Sequence, residues 1–94
     1  MIVSYRDRKT ERLAAGEYVK DFSGFARQAE TRLDRLDAAT SLNDLAAIGG
    51  NRLEALKGDR AGQYSIRIND QWRICFKWPT GSPGPVEVEI TDYH

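Results

Sequence analysis

Two arginines six residues apart, Arg67 and Arg73, frame the stretch "RINDQWR", and the chain closes on "DYH", with its single histidine as His94. These residue types suit one kind of chemistry. Paired guanidiniums fork onto a phosphate and stabilise charge that develops on it. An imidazole titrates near neutrality and moves a proton. A phenol such as Tyr93 donates a proton or stacks on a base. RNA brings its own nucleophile, the 2′-hydroxyl. An enzyme that orients this hydroxyl, stabilises the phosphorane and protonates the leaving oxygen can be built from this set. One His and one Cys make no metal-ligand cluster. The chain also has no phosphate-binding glycine loop, nucleophile elbow or dinucleotide fingerprint. No metal and no cofactor are expected.

The set works only if the chain brings it together, and strand periodicity says how. Taken by twos, Ile66, Ile68, Trp72, Ile74, Phe76 and Trp78 fall on one side, and Arg67, Arg73 and Lys77 on the other. For both apolar rows to share a face, Ile68 must sit opposite Trp72, leaving Asn69-Asp70-Gln71 as a three-residue hairpin loop. Arg67 then pairs with Arg73, Ser65 with Cys75, and Gln63 with Lys77. Like charges facing across a ladder cost up to about 1 kcal/mol. Either an anion bridges the two guanidiniums, or they splay into solvent or pair with a carboxylate such as Glu89. The pattern leaves both open. In the last strand Val86, Val88 and Ile90 face the core. Pairing Trp78 with Val86 sets Lys77 beside Glu87 and Arg73 beside Thr91. Tyr93 then lies on the Arg face, diagonal to Arg73 and within about 8 Å. Lys57, on the neighbouring strand, adds a third cation. The aromatic residues share the parity of Ile74 and belong to the core. Cys75 lies on the Arg side without a partner base, as a bystander thiol.

The elements that must hold these residues are legible along the 94-residue chain. "MIVSY" reads as an opening strand, and "RKTERLAAGE" as two helical turns ended by Gly16. Phe22, Phe25, Ala26, Ala29, Leu33 and Leu36 recur at helical spacing, with Ser23 as a cap. Arg27, Glu30, Arg32, Asp34 and Arg35 form that helix's solvated side. Ser41 with Asp44 resembles a capping box, and Gly49-Gly50 end the helix. Strands follow at roughly 52–57, 62–68, 71–78 and 86–91, the last two separated by the strand-breaking "PTGSPGP". This order predicts one α+β domain over residues 1–94, an antiparallel sheet covered on one face by two or three N-terminal helices.

Charge narrows the partners. Fourteen basic and fourteen acidic residues give zero net charge, which argues against diffuse nucleic-acid binding. The distribution is uneven. Residues 52–78 carry Arg52, Lys57, Arg60, Arg67, Arg73 and Lys77 against Glu54, Asp59 and Asp70, an excess of three cations. An anion site is therefore local and lies in that segment. A lone cysteine, no leader-like segment and no apolar run of spanning length predict a cytoplasmic protein with no membrane association.

At these residues the chain resembles a known family. "NRLEALKGDRAGQYSIRINDQWRICFKW", the terminal "EITDYH" and the upstream "RLDRLDAATSLNDL" resemble the HigB branch of the RelE/ParE toxin superfamily. The resemblance implies a compact RelE-like fold and a toxin of a type II toxin–antitoxin system. It implies a metal-independent endoribonuclease, an mRNA interferase that cleaves messenger RNA in the ribosomal A site. The implied partners are the ribosome, mRNA and a HigA-type helix-turn-helix antitoxin, with operator DNA reached only through the antitoxin. The implied site is Lys57, Arg67, Arg73, Asp92, Tyr93 and His94. Arg67, Arg73 and Lys57 would bind phosphate and stabilise the transition state. His94 would act as general acid or base, helped by Asp92 and Tyr93. One departure is Glu54, where some HigB-like toxins have His. It can act as an auxiliary base if its pKa is raised, or it weakens catalysis. With the neutral charge, this points to a weak or moderate toxin. Two other readings fit the fold: a non-enzymatic, ParE-like gyrase poison, and a regulatory subunit that mainly holds an antitoxin.

Overall fold

The computed structural model describes residues 1–92; Tyr93 and His94 lie outside the described residues. The chain forms helices α1 (Arg8–Ala14), α2 (Ala26–Ala38) and α3 (Leu42–Ala46), followed by strands β1 (Glu54–Ala55), β2 (Tyr64–Arg67), β3 (Arg73–Lys77) and β4 (Val86–Thr91). The strands make one antiparallel sheet in the order β1-β2-β3-β4. Helices cover one of its faces, as the alternation predicts. Among the described residues no helix is long and apolar enough to cross a membrane.

The core lies between α2 and the sheet. Ala29, Leu33 and Leu36 of α2 meet Ile66, Ile74, Phe76, Val88 and Ile90, all buried. Ahead of α2 the chain departs from the expected helix. Lys20–Phe25 is a 3-10 helix, and Ser23 donates to the Lys20 carbonyl within it rather than capping α2. Three residues per turn set Phe22 and Phe25 over one another. Both rings bury against Trp72, with centroids 6.0 Å and 4.9 Å away. Trp72 immediately precedes Arg73, so this aromatic packing fixes the base of the β2–β3 hairpin. The Asp44 box is present with one change. The Ser41 hydroxyl accepts from the Asp44 amide, while the Asp44 carboxylate reaches back to the Thr40 amide and hydroxyl.

The hairpin register is the one the alternation requires: Tyr64 opposite Phe76, Ser65 opposite Cys75, Ile66 opposite Ile74 and Arg67 opposite Arg73. Asn69 makes the three-residue loop. Its side-chain oxygen accepts from the amides of Gln71 (2.9 Å) and Trp72 (2.8 Å), an Asx turn. Elsewhere three expectations need correction. First, β1 spans two residues rather than 52–57: Arg52 (φ 47°) leaves extended backbone before it, and Lys57 already caps the 3-10 turn Gly58–Arg60 after it. Second, β4 holds the expected register from Arg73–Thr91 to Cys75–Glu89 and then slips by one, so that Val86 pairs with Lys77 instead of Trp78. Glu87 takes the left-handed conformation at this bulge (φ 51°), yet its carboxylate still reaches Lys77 Nζ at 3.0 Å. Third, the opening residues form no full strand. They meet β4 through a single parallel bridge, Tyr5 with Val88.

Candidate functional site

The sheet face turned away from the helices carries two rows of side chains. Directly opposed residues share a face, so Glu54, Ser65, Cys75 and Glu89 make one row across all four strands. Two residues nearer the hairpin, Arg67, Arg73 and Thr91 make the next. The middle of the first row is covered. Ser65 and Cys75 are fully buried. After Lys57 the 3-10 turn Gly58–Arg60 folds back over the sheet. Arg60 Nη1 donates to Gln63 Oε1 and to Glu89 Oε1, both at 3.0 Å. Arg6 reaches the same Glu89 oxygen at 3.5 Å. Burial, with the Arg60 guanidinium opposing it, pushes the Cys75 thiol up to about 11. That is the wrong direction for a nucleophile, as the sequence suggests.

The second row is where the paired cations stand. The Ile68 amide bonds to the Trp72 carbonyl, which makes that pair hydrogen-bonded and its neighbour Arg67–Arg73 non-hydrogen-bonded. In such a pair the Cα atoms are only about 4.5 Å apart, the closest cross-strand approach in a sheet. The two guanidiniums are served differently. Arg67 Nη2 pairs with Asp70 in the hairpin loop, so the carboxylate that relieves it is Asp70 and not Glu89. Asp70 is 96% exposed, and so open a pair contributes at most about 1 kcal/mol. Arg73 Nη1 is shielded from solvent and finds no acceptor among the described residues. A buried donor left unsatisfied is costly, and one on a guanidinium more so.

The remaining predicted residues divide. Glu54 is exposed on the same face, diagonal to Arg67 across the β1–β2 pair, a spacing of about 7–8 Å. Lys57 is not on a strand; it precedes the Gly58–Arg60 turn and is exposed. Asp92 accepts from Gln71 Nε2 at 2.9 Å, tying the end of β4 to the hairpin loop. Tyr93 and His94 lie outside the described residues, and their expected roles with them. Among the described residues no group of three or more His, Cys, Asp or Glu is placed to hold a metal ion. Arg60 is absent from the site read in the sequence. Only its membership of the cationic segment hints at it, because its contact with Glu89 spans 29 residues.

Known proteins match this chain at three levels. A family model described as the RelE-like toxin of type II toxin–antitoxin system HigB matches residues 5–94. The chain is 46% identical over 50 residues to Toxin HigB-1 of Vibrio cholerae, covering 53% of each chain. It is 39% identical over 67 residues to Endoribonuclease HigB of Proteus vulgaris, covering 67% of this chain and 65% of that one. The chain thus spans about half to two thirds of the length of these curated relatives. In fold it is similar to a YoeB/ParE toxin from Agrobacterium tumefaciens, with a TM-score of 0.61, 21% identity, and coverage of 99% of this chain and 98% of the other. The match over residues 5–94 makes the identification that the hairpin and terminal motifs imply: the chain belongs to the HigB-like family of RelE-like toxins from type II toxin–antitoxin systems.

Proposed function

We propose that this toxin is an endoribonuclease that cleaves messenger RNA on the ribosome by attack of the RNA's own 2′-hydroxyl. The observation that carries the reading is the Arg67–Arg73 pair, with one guanidinium held by an exposed, weakly bound carboxylate and the other left with an orphaned donor. A phosphodiester seated there displaces Asp70 from Arg67 and draws the Arg73 guanidinium out of its shielded position to meet it. In the reaction the 2′-oxygen bonds to phosphorus, the bond to the 5′-oxygen breaks, and a 2′,3′-cyclic phosphate is left. Two guanidiniums stabilise the negative charge that builds on the non-bridging oxygens. A proton leaves the 2′-hydroxyl and another reaches the departing 5′-oxygen. His94 serves one of these transfers, with Tyr93 and Asp92 beside it, and Glu54 is the auxiliary base available on the same face. Lys57 adds a cation at the rim. β4 supports this assignment, because it delivers the chain to Thr91, opposite Arg73, three residues before His94.

The toxin's partner in this reading is a HigA-type helix-turn-helix antitoxin, through which it reaches operator DNA. The site acts in the cytoplasm without a metal ion. The test is mapping of mRNA 5′ ends in a translating extract with the wild-type chain, Arg73→Ala and His94→Ala. Cleavage by the wild type and its loss in both variants is the expected result. Equal cleavage by all three would remove the site, and intact mRNA with every chain would remove the activity.

A further inference from the structure

A second group of arginines adjoins the hairpin and has no place in the reaction. β1 is too short to cover the end of β2, so the backbone of Arg67 on that side has no strand partner. α2 fills the gap: Arg32 Nε donates to the Arg67 carbonyl at 3.0 Å. One turn further on, Arg35 Nη1 donates to Asn51 Oδ1 at 3.1 Å. Asn51 is fully buried and donates in turn to the Leu45 carbonyl at 3.2 Å. Each guanidinium is thus anchored by one bond while most of its five donors stay uncommitted. Neither Arg32 nor Arg35 has a carboxylate partner among the described residues. Among the described residues the carboxylate paired with the group is Asp70, on Arg67. Burial first, and then the nearby charges of Arg35 and Arg67, lower the pKa of Arg32.

We propose that Arg32, Arg35 and Arg67 form a second phosphate subsite, which takes the backbone phosphate next to the one held by Arg67 and Arg73. Arg67 belongs to both groups, so a strand seated on the hairpin passes from one to the other without a gap. Anchored arginines suit a phosphate, because the planar fork is already oriented and little side-chain freedom is lost on binding. An acidic peptide offers carboxylates of similar charge, but nothing continues its path onto the Arg67–Arg73 pair. This inference rests on the reading of the hairpin as an RNA site, although not on cleavage there.

The test is a thermodynamic cycle between protein and RNA. A short oligoribonucleotide, 2′-O-methylated at the cleavage position so that it survives, is compared with copies carrying a neutral methylphosphonate at one linkage at a time. The full-length protein and the double variant Arg32→Gln/Arg35→Gln are titrated with each. One neutralised linkage adjacent to the scissile one should weaken binding to the wild type by about tenfold, the loss of one charge-assisted contact. The double variant should bind the unmodified oligonucleotide correspondingly less well and be indifferent to that same substitution. Arg32→Lys/Arg35→Lys should recover part of the loss. Because the RNA modification leaves the protein untouched, misfolding cannot imitate the wild-type effect. Equal sensitivity of both proteins at every linkage would overturn the subsite. So would insensitivity of the wild type, or binding of an acidic peptide in place of the RNA. A chain that shows the coupling but leaves translating mRNA intact would keep the subsite and lose the nuclease.

Discussion

Arg73 carries a conflict between stability and function in one side chain. Its Nη1 is buried without an acceptor among the described residues, and its cross-strand neighbour has the same charge. Under the proposed function, a bound phosphate offsets both penalties. Arg73→Met should therefore leave stability unchanged or raise it by up to about 1 kcal/mol, since it removes the like-charge contact. The same substitution should lower mRNA cleavage by roughly a hundredfold or more, the usual cost of losing one transition-state donor. Urea titration and end mapping on one preparation separate the two effects, and a loss of stability would recast Arg73 as structural. Cys75 gives a pH prediction. Its pKa lies near 11 in the fold against 9.0 ordinarily, so the folded state holds the proton that the unfolded state releases first. The associated stability is complete below about pH 9 and is lost as pH rises toward 11. Cys75→Ala should flatten that fall in an alkaline denaturation series, and the native thiol should resist a disulfide reagent at neutral pH. At this scale the Arg67–Arg73 pairing is readable from parity alone. The Arg67–Asp70 and Arg60–Glu89 pairs are not, because rotamers and a 29-residue separation decide them.

The β2–β3 hairpin was legible as an element because three local signals agree: period-two alternation, Asn69 as turn former, and an aromatic residue at its base. The pieces that escaped the sequence depend on distant contacts. The parallel bridge of Tyr5 to Val88 joins residues 83 apart, and the Glu87 bulge answers to it, since the Glu87 amide donates to Ser4 Oγ at 2.9 Å. Gly84 marks where the opening residues cross. A Cβ there would lie 1.9 Å from the Met1 carbonyl oxygen. Gly84→Ala should displace that segment at a cost of about 1–3 kcal/mol and deprotect the amides of Val3 and Val88 in hydrogen exchange. α3 offers a prediction of the opposite kind, in which local chemistry suffices. Hydrogen bonds from the Thr40 side chain and amide hold the Asp44 carboxyl below its usual range. The folded state therefore keeps this charge to lower pH than the unfolded chain does. The stability it contributes is present above about pH 4 and lost as acidification passes through the lower folded value. Asp44→Asn should lower the melting temperature at neutral pH and shrink its further fall in acid; equal acid sensitivity in both proteins would disprove the cap's role.

For the whole molecule, zero net charge conceals separation. The hairpin end gathers Arg32, Arg35, Arg67 and Arg73. Three adjoining hollows between α1 and α2 are lined by Glu17, Glu30, Asp34 and Asp37, of which Glu17 pairs with Arg12. Glu30 and Asp34 lie two residues either side of Arg32, about 200° around α2 and so on its opposite flank. The molecule measures 34 × 26 × 25 Å. At physiological ionic strength screening sets in over about 8 Å, less than the roughly 10–12 Å across a helix with its side chains. RNA should therefore sense the local arginines and not the overall charge. The salt dependence of oligoribonucleotide binding tests this directly. With the two phosphates of the adjoining subsites engaged, a plot of log affinity against log salt should have a slope of about −1.4 for a single strand. Glu30→Gln/Asp34→Asn raises the net charge by two and should leave that slope and the cleavage rate where they were. Arg32→Gln/Arg35→Gln lowers the net charge by the same amount and should flatten the slope by about 0.7, roughly half of it. Equal and opposite responses to the two pairs would mean that attraction is global, and that the arginines at the hairpin owe their effect to charge alone, not to where the fold puts them.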